Sequence, residues 1–290
     1  MEKTVLITHP GQLKRIRAKD YSRLYYGNEF CERHIPSRKE LRDALDFARK
    51  NALDFSLVTP YVTDGGLGKL KTLFNMLEDL KTPHEVIVND WGVLRLVRDS
   101  YSFLTPVVGR LLVKQKRGPG LKRLLERRLT MLFIKDPKTP GKKTLLIQKK
   151  LPPAMDHYYK GSNVMSVRVL QDFLVTCGVR RIELDNPEQG VILDLPKGDI
   201  SASVYTPYCY IATTFFCPTA GCDLKKRSVL KIKPCGKQCR KYVFELRHRS
   251  FRKVIYLKGN TQFYKNNALD KKEFARMGVD RIVYEPEIPV

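Results

Sequence analysis

The sequence lacks any apolar run long enough to cross a membrane, and its first ten residues, MEKTVLITHP, lack the hydrophobic stretch of a secretory signal. These absences argue against an integral membrane protein and against a secreted one, so we expect a soluble, cytoplasmic chain with no transmembrane segment. In a reducing compartment, clustered cysteines are more often metal ligands or redox groups than disulfides. The 290 residues, of which 42% are hydrophobic, suffice for a packed core without disulfide bonds.

Nucleotide-binding and protease signatures are also missing. No Gly-x-Gly-x-x-Gly motif follows a predicted strand, and neither a phosphate-binding loop nor His-Glu-x-x-His is present. A peptidase would need a nucleophile beside a base, or a metal-bound water, and no pattern specifies either. Each of the five histidines is expected on the surface or hydrogen-bonded in the core: His9, His34, His84, His157 and His248. A protease is therefore the least favoured of the functions considered below.

Acidic residues are scarce relative to basic ones. Lys and Arg total 54 against 30 Asp and Glu, and the formal charge of +24 would attract RNA, DNA, anionic lipid or an acidic partner protein. The most basic region, residues 114–150, is predicted to contain a helix that bears Leu121, Leu124, Leu125, Leu129 and Leu132. We consider three interpretations of this region, in decreasing order: a solvated basic helix, a surface for nucleic acid or another anionic partner, and a helix that lies on a membrane surface.

Strand-like and helix-like segments alternate along much of the chain. The predicted strands are residues 23–26, 54–62, 84–90, 180–186, 201–208, 253–259 and 280–286. Helices are predicted after Ser37, which forms a capping-box pattern with Glu40, and over residues 67–80, 91–100 and 164–177. Such alternation implies parallel strands joined by right-handed crossovers. We therefore predict a single α/β domain over residues 1–290, a TIM-like (β/α) barrel, complete or incomplete, with a cysteine-rich C-terminal segment at residues 209–240.

Four of the seven cysteines lie close together in the later part of that segment, residues 217–239, CPTAGCDLKKRSVLKIKPCGKQC. Cys217, Cys222, Cys235 and Cys239 have the spacing C-x4-C-x12-C-x3-C, which suffices for a zinc ribbon, although neither pair has the commoner two-residue gap. Soft thiolate sulfur suits zinc and iron-sulfur clusters alike. The intervening lysines would lower the pKa values of the thiols and offset the charge of a thiolate-ligated group, without selecting the metal.

Cys31 offers a further ligand from far away in the sequence. It follows a predicted strand, and in a (β/α) barrel the loops at the carboxyl ends of the strands converge on one face. The converging set would then be Cys31, Cys217, Cys235 and Cys239, with Cys222 left over. We expect Cys177 and Cys209 to be structural.

Three polar residues at predicted strand ends are further candidates for the site. Asp90 follows a strand, although a role as helix N-cap is favoured for it, and Asn260 and Gln262 occur in GNTQFY. We assign a catalytic role to none of them.

Several stretches together resemble the so-called peptidase family U32. They are YYGNEFCERHIPSRKEL (Tyr25–Leu41), EVIVNDWGVLRL (Glu85–Leu96), YIATTFFC (Tyr210–Cys217), CGKQC (Cys235–Cys239) and LKGNTQFY (Leu257–Tyr264). Within that family, the sequence is most similar to the short UbiU- and UbiV-type iron-sulfur proteins of oxygen-independent ubiquinone biosynthesis. The resemblance spans nearly the whole chain, and its specific part is the placement of the cysteines.

The resemblance implies a TIM-barrel-like domain that holds a [4Fe-4S] cluster on Cys31, Cys217, Cys235 and Cys239. It also implies a role in hydroxylation without molecular oxygen, on a quinone precursor or on RNA, and a sister subunit of the same family as partner in a heterodimer. Cys222 is an additional cysteine in this region, so it could replace one of the four ligands.

Two function classes follow from these patterns. The first is an iron-sulfur protein that acts in, or as a partner to, an oxygen-independent hydroxylation. The second is a basic RNA-binding module that holds a structural zinc ion on Cys217, Cys222, Cys235 and Cys239. Only the first needs Cys31, so that residue discriminates between them.

Overall fold

Parallel strands and helices alternate in the structure, a computed structural model that describes residues 1–126, 129–135, 139–141, 143–149, 154–161, 163–196, 198–223, 234–247 and 253–290. Its strands are β1 (Glu2–Ile7), β2 (Arg23–Gly27), β3 (Asp54–Val58), β4 (His84–Val88), β5 (Leu104–Val108), β6 (Leu129–Lys135), β7 (Lys143–Lys149), β8 (Arg181–Asp185), β9 (Ser201–Thr206), β10 (Tyr208–Thr213), β11 (Phe244–Leu246), β12 (Ile255–Lys258), β13 (Thr261–Lys265) and β14 (Val279–Tyr284). Its α-helices are α1 (Pro10–Leu13), α2 (Arg38–Lys50), α3 (Asp64–Glu78), α4 (Trp91–Ser100), α5 (Arg110–Val113), α6 (Leu121–Glu126), α7 (Ala154–Lys160), α8 (Asn163–Ser166), α9 (Arg168–Thr176) and α10 (Lys271–Arg276).

Eight of these strands close into a parallel barrel. Their order around the barrel is β1, β2, β3, β4, β5, β8, β9 and β14, and β14 pairs with β1 to complete the ring. The TIM-like (β/α) barrel predicted from the sequence is therefore confirmed, and its sheet is complete. The outer ring of helices is less regular, because the described residues between β8 and β9 contain no helix.

The barrel strands are buried on both faces, as in other sheets covered by helices. Side chains that point outward pack beneath the helices in the main core, for example Leu24 and Tyr26 of β2. Side chains that point inward form a separate apolar layer inside the barrel: Leu6, Tyr25, Val58, Ile87, Val107, Tyr205 and Val283. Because successive side chains of a strand point to opposite faces, each barrel strand contributes both to the core beneath the helices and to the layer inside the barrel.

Four helices, α2, α3, α4 and α10, begin at a residue whose side chain caps the first turn. The Ser37 hydroxyl accepts a hydrogen bond from the Glu40 N–H, and the Glu40 carboxylate accepts one from the Ser37 N–H, so the predicted capping box is formed at α2. Asp90 accepts hydrogen bonds from the first turn of α4, which confirms the N-cap role favoured for it.

The helix predicted across the basic region ends earlier than expected. α6 stops at Glu126, and Leu129 and Leu132 lie instead in β6, which pairs antiparallel with β7 over seven residue pairs. The leucine spacing was compatible with a helix, but residues 139–141, with Gly141 at a positive φ of 90°, reverse the chain and allow a long hairpin. Cross-strand pairing outweighs the helical periodicity here.

The predicted strand at residues 253–259 does not belong to the barrel. β12 is followed directly by β13 through Gly259 and Asn260, and a two-residue connection can join only antiparallel strands. β12 and β13 lie in a four-stranded antiparallel sheet with the order β10, β13, β12, β11. This sheet continues from the carboxyl end of β9, so it stands at the mouth of the barrel. Within the described part of the chain, no helix combines the length and apolar character needed to cross a membrane.

Candidate functional site

The cysteine site lies where the barrel mouth meets the small sheet. Cys31 belongs to the loop after β2 and directly precedes a 3-10 helix, Glu32–His34. Cys217 follows β10, whereas Cys235 and Cys239 precede β11. The carboxyl end of a barrel strand and the two edge strands of the antiparallel sheet, β10 and β11, therefore contribute to one region.

The thiols of four cysteines interact electrostatically. Burial first, and then the neighbouring thiols of Cys217, Cys31 and Cys235, raise the pKa of the Cys239 thiol to about 11, against the Lys258 ammonium. Burial also raises the pKa of Cys31, with Cys217 and Cys235 again among the groups that act on it. Such effects act at short range, so the four side chains lie in one region of the structure, and their convergence as a ligand set stays a prediction.

These thiols are neighbours rather than a formed coordination sphere. Among the described residues, no group of three or more His, Cys, Asp or Glu side chains is arranged so that it could hold a metal ion. Cys222 lies five residues after Cys217, in a turn closed by a hydrogen bond from its N–H to the Thr219 carbonyl (3.2 Å). The assignment of any of these cysteines as ligands stays a prediction.

His34 joins two of the converging segments. Its N–H donates to the Cys31 carbonyl (3.0 Å), and its imidazole Nε2 lies 3.1 Å from the Cys239 sulfur. Burial, followed by the nearby cations Arg240 and Lys237, lowers the pKa of His34 to about 4, so the ring is neutral at pH 7. Sequence reasoning treated this histidine as unremarkable, although its spacing in Cys31-x-x-His34 was a usable signal.

The other sulfurs have polar neighbours as well. The Cys217 sulfur lies 3.5 Å from the Thr219 hydroxyl, and the Cys235 sulfur accepts a hydrogen bond from the Lys237 N–H at 3.4 Å. Lys237 adopts a left-handed conformation with φ of 57°, which turns its N–H back towards Cys235. Backbone and hydroxyl donors near sulfur are typical of sites that stabilise thiolate charge.

Asn260 holds the loops of the site together. Its amide nitrogen is within hydrogen-bonding distance of the Phe30 carbonyl (2.6 Å), the Thr214 carbonyl (2.7 Å) and the Tyr61 hydroxyl (2.9 Å). These groups flank Cys31, Cys217 and the loop after β3 respectively. The sequence singled out Asn260 and Gln262 as polar candidates, and the structure places Asn260 as a buried support, whereas Gln262 is half-buried in β13.

An aromatic pair borders the open side of the site. The Tyr61 and Phe215 rings meet edge to face with centroids 4.5 Å apart, and Phe215 is 74% exposed. The thiols of Cys31 and Cys217 are among the groups that raise the pKa of Tyr61, although burial is the larger cause. The pair therefore lies beside these two cysteines and faces solvent.

A buried ionic network fills the barrel mouth beneath the small sheet. The Arg110 guanidinium is fully buried and bonds to Glu29, to Asp185 (3.0 Å) and to Glu285 (2.8 Å), and it lies 3.8 Å from the centre of the Tyr205 ring. Each carboxylate lies at or just beyond the carboxyl end of a barrel strand, at β2, β8 and β14 respectively. The network thus joins strands on different sides of the mouth.

A second arginine extends this network to the small sheet. Arg117 pairs with Asp185, and its guanidinium lies 3.9 Å from the centre of the Tyr210 ring. The Tyr208 N–H donates to Glu285 (3.0 Å) and the Tyr210 N–H donates to Asp185 (3.2 Å), so the start of β10 is bonded to the network directly. Charge at the mouth therefore anchors the strand that leads to Cys217.

At the mouth, two arginines face three buried carboxylates, and the pKa values of two of these acids are raised. Burial raises the pKa of Glu285 to about 8 despite Arg110, with Glu29 and Asp185 adding to the increase. Burial likewise raises the pKa of Glu29. Sequence reasoning missed the whole network, because an arginine within GRLLV gives no sign of burial until the strand ends are brought together.

The remaining cysteines lie away from this region or within its packing. Cys177 is buried in the main core, as predicted, and Cys209 is buried in β10. Burial raises the pKa of Cys209 strongly, which is characteristic of an unreactive, structural thiol.

Fold and site together define a (β/α) barrel with a cysteine cluster at the carboxyl ends of its strands, the end at which barrel proteins build their sites. No family model matches the sequence, and no curated protein matches it either. Among solved structures, the U32 peptidase Mk0906 is similar over 100% of this chain and 94% of its own, with 11% identity and a TM-score of 0.44. An immunomodulatory chitinase from Trichuris suis is similar over 97% of this chain and 91% of its own, with 10% identity and a TM-score of 0.33. At these levels neither likeness assigns a family or a function.

Proposed function

We propose that this chain is a U32-type protein that holds a [4Fe-4S] cluster on Cys31, Cys217, Cys235 and Cys239 and acts in, or as a partner to, an oxygen-independent hydroxylation. The observation that carries the proposal is that the Cys31 loop contacts both later segments: His34 lies 3.1 Å from the Cys239 sulfur, and Asn260 joins the carbonyls of Phe30 and Thr214. A zinc ribbon built within residues 217–239 would leave Cys31 without a role there. The substrate, whether a quinone precursor or RNA, and a sister subunit as partner belong to the same proposal.

The donor chemistry of the site fits such a cluster. Four thiolates around iron and sulfide leave net negative charge, which needs nearby cations and hydrogen-bond donors. Lys258 acts on Cys239, and Arg240 and Lys237 act on His34 beside it, so positive charge lies near the Cys239 end of the site. When bound, the cluster would supply one-electron transfer.

The residues of the chain itself would position and insulate this centre. Asn260 would hold the Cys31 loop against the Cys217 loop, and His34 would donate a hydrogen bond to the Cys239 sulfur. Arg110 and its carboxylate partners would fix β10 over the mouth. The Tyr61 and Phe215 rings border the open side, where a substrate would approach.

A peptidase mechanism is not part of this proposal, although Cys239 and His34 form a close sulfur-imidazole pair. A cysteine nucleophile needs a lowered thiol pKa and access to substrate. Cys239 has the reverse properties, since it is buried and its pKa is raised to about 11. His34 is buried too, so substrate would reach neither group.

Anaerobic purification with iron, sulfide and zinc analysis tests the proposal. We expect a brown protein with roughly four iron and four sulfide per chain and the visible and EPR spectra of a [4Fe-4S] centre. A colourless protein with one zinc ion would contradict it and would favour the RNA-binding module on Cys217, Cys222, Cys235 and Cys239.

A further inference from the structure

The outer surface of the barrel carries an apolar groove between α4 and α9. It has a volume of about 500 Å³, and its apolar lining consists of Trp91, Leu94, Leu170, Phe173 and Cys177. The Trp91 and Phe173 rings contact each other across it, with centroids 6.2 Å apart. The two helices run side by side in the same direction, since Arg98 at the end of α4 approaches Cys177 just beyond α9 (3.6 Å).

Exposed apolar side chains are concentrated on this face. Trp91 is 43% exposed and Phe173 46%, and Val169, four residues before Phe173 in α9, is 79% exposed. Single exposed apolar residues are ordinary, but a contiguous group around a groove marks an interaction surface. α2 offers a contrast, because its exposed positions are charged.

The shape and charge of the groove indicate its occupant. Two parallel helices with an open furrow between them accept a third helix, which would insert apolar side chains at helical spacing. Of the described residues that line the groove, the charged ones are Arg95 and Arg98, and Arg95 projects into solvent with its side chain 80% exposed. Asp99 pairs with both arginines, so the three side chains together keep a net positive charge.

We propose that this groove binds an acidic amphipathic helix of a partner protein. A second copy of the chain is a poor occupant, because each copy carries a formal charge of +24 and the copies would repel each other. Nucleic acid is a poor occupant as well. Its phosphates require several cations along the contact surface, whereas the described residues that line the groove offer Arg95 and Arg98 and are otherwise apolar.

The sole tryptophan of the chain provides a direct readout, because Trp91 lies in the groove. The probe is a designed amphipathic peptide about four helical turns long, with leucine on one face and glutamate on the other. Titration with this peptide should shift the Trp91 emission to shorter wavelength with saturation. A matched peptide with lysine in place of glutamate should not bind.

Substitutions at exposed positions then locate the binding. Phe173→Ala should weaken peptide binding roughly tenfold, as expected for an aromatic anchor. Arg95→Glu should weaken it by about threefold at low salt, with little effect at high salt. Matched controls elsewhere on the surface, Phe215→Ala and Arg42→Glu, should leave the affinity unchanged.

Three results would overturn the proposal. The first is equal binding of the glutamate and lysine peptides, or none of either. The second is sedimentation that shows a dimer abolished by Phe173→Ala, which would make a second copy the occupant. The third is a shift of Trp91 emission by an RNA oligonucleotide that competes with the glutamate peptide. The urea midpoint of each variant, equal to that of the unsubstituted protein, establishes that the fold is intact.

Discussion

The two ends of the barrel interior carry similar ionic chemistry in different settings. At the mouth, Arg110 and its carboxylate partners are completely buried beneath the small sheet. At the opposite end, Arg23 and Arg281 bond to Glu2 and Glu85, but those carboxylates keep 20–25% of their side-chain surface exposed. One end is sealed, whereas the other is open to water.

The difference shows what burial adds to an ion pair. Water reaches the carboxylates at the open end and screens their charges in part, so each pair there is worth less than a pair at the mouth. At the mouth, each charge depends on its partner, because an unpaired buried charge is very costly. The sealed network therefore determines the position of β10 and of the cysteines that follow, and the open network only closes the barrel.

The largest expected effect comes from removing one arginine at each end. Arg110→Met leaves Glu29 and Glu285 without their arginine partner, whereas Asp185 keeps Arg117, and should lower the free energy of unfolding by about 3–5 kcal/mol. Arg23→Met, at the open end, should cost about 1 kcal/mol. Urea unfolding of both variants measures the difference. Equal losses of unfolding free energy would mean that the two networks contribute equally to stability.

A moderate effect is expected where the mouth supports the site. Asn260→Ala removes the amide that contacts the Phe30 and Thr214 carbonyls and should cost about 1–3 kcal/mol, with faster loss of iron from anaerobically purified protein. Gln262→Ala is the matched control, two residues away and half-buried, and should retain its iron. Equal iron loss from both variants would show that Asn260 does not hold the two cysteine loops together in the way described.

The pH dependence of stability should also distinguish the two ends. An acid whose pKa is raised by folding stabilises the protein below its ordinary value and loses that contribution as the pH rises. Stability should therefore fall between about pH 4.5 and 8 for Glu285 at the mouth, and between about pH 4.5 and 7 for Glu183 deeper in the barrel. Glu285→Gln should flatten the upper part of this decline, whereas Glu183→Gln should leave that part in place. If Glu285→Gln leaves the dependence of stability on pH unchanged, Glu285 is not the group that causes the upper part of the decline.

The smallest effect expected is a change in the redox properties of the site. His34→Phe removes the donor near the Cys239 sulfur and should lower the midpoint potential of the cluster, because hydrogen bonds to sulfur favour the reduced form. His34→Gln keeps an N–H donor and should largely restore the potential. His84→Phe changes the histidine at the open end of the barrel and should have no effect. An EPR-monitored redox titration makes the comparison.

The barrel was predictable because alternation of strands and helices is a local pattern. The pattern does not reveal two of the barrel strands, β1 and β5. In β5, Pro106 argues against a central strand. β12 was assigned to the barrel because its apolar run resembles the others, although the Gly259-Asn260 turn after it already indicated a hairpin. Turn chemistry was the stronger signal in this case.

The site was predictable only where residue type was distinctive. Cysteines are rare enough that Cys31 could be linked to the late cysteines through barrel topology. Arg110, Glu29 and Glu285 are common residue types in a highly charged chain, and their burial depends on contacts between residues up to 175 positions apart. A local pattern carries no information about such contacts, so the network emerges only from the three-dimensional structure.

The central claim is that the Cys31 loop and the late cysteines form one site. The most direct test compares Cys31→Ala with Cys222→Ala by iron and sulfide content after anaerobic purification. We expect Cys31→Ala to lose the cluster and Cys222→Ala to keep it at the level of the unsubstituted protein. Retention of the metal by Cys31→Ala, together with its loss from Cys222→Ala, would contradict the account and would locate the metal site within residues 217–239 alone.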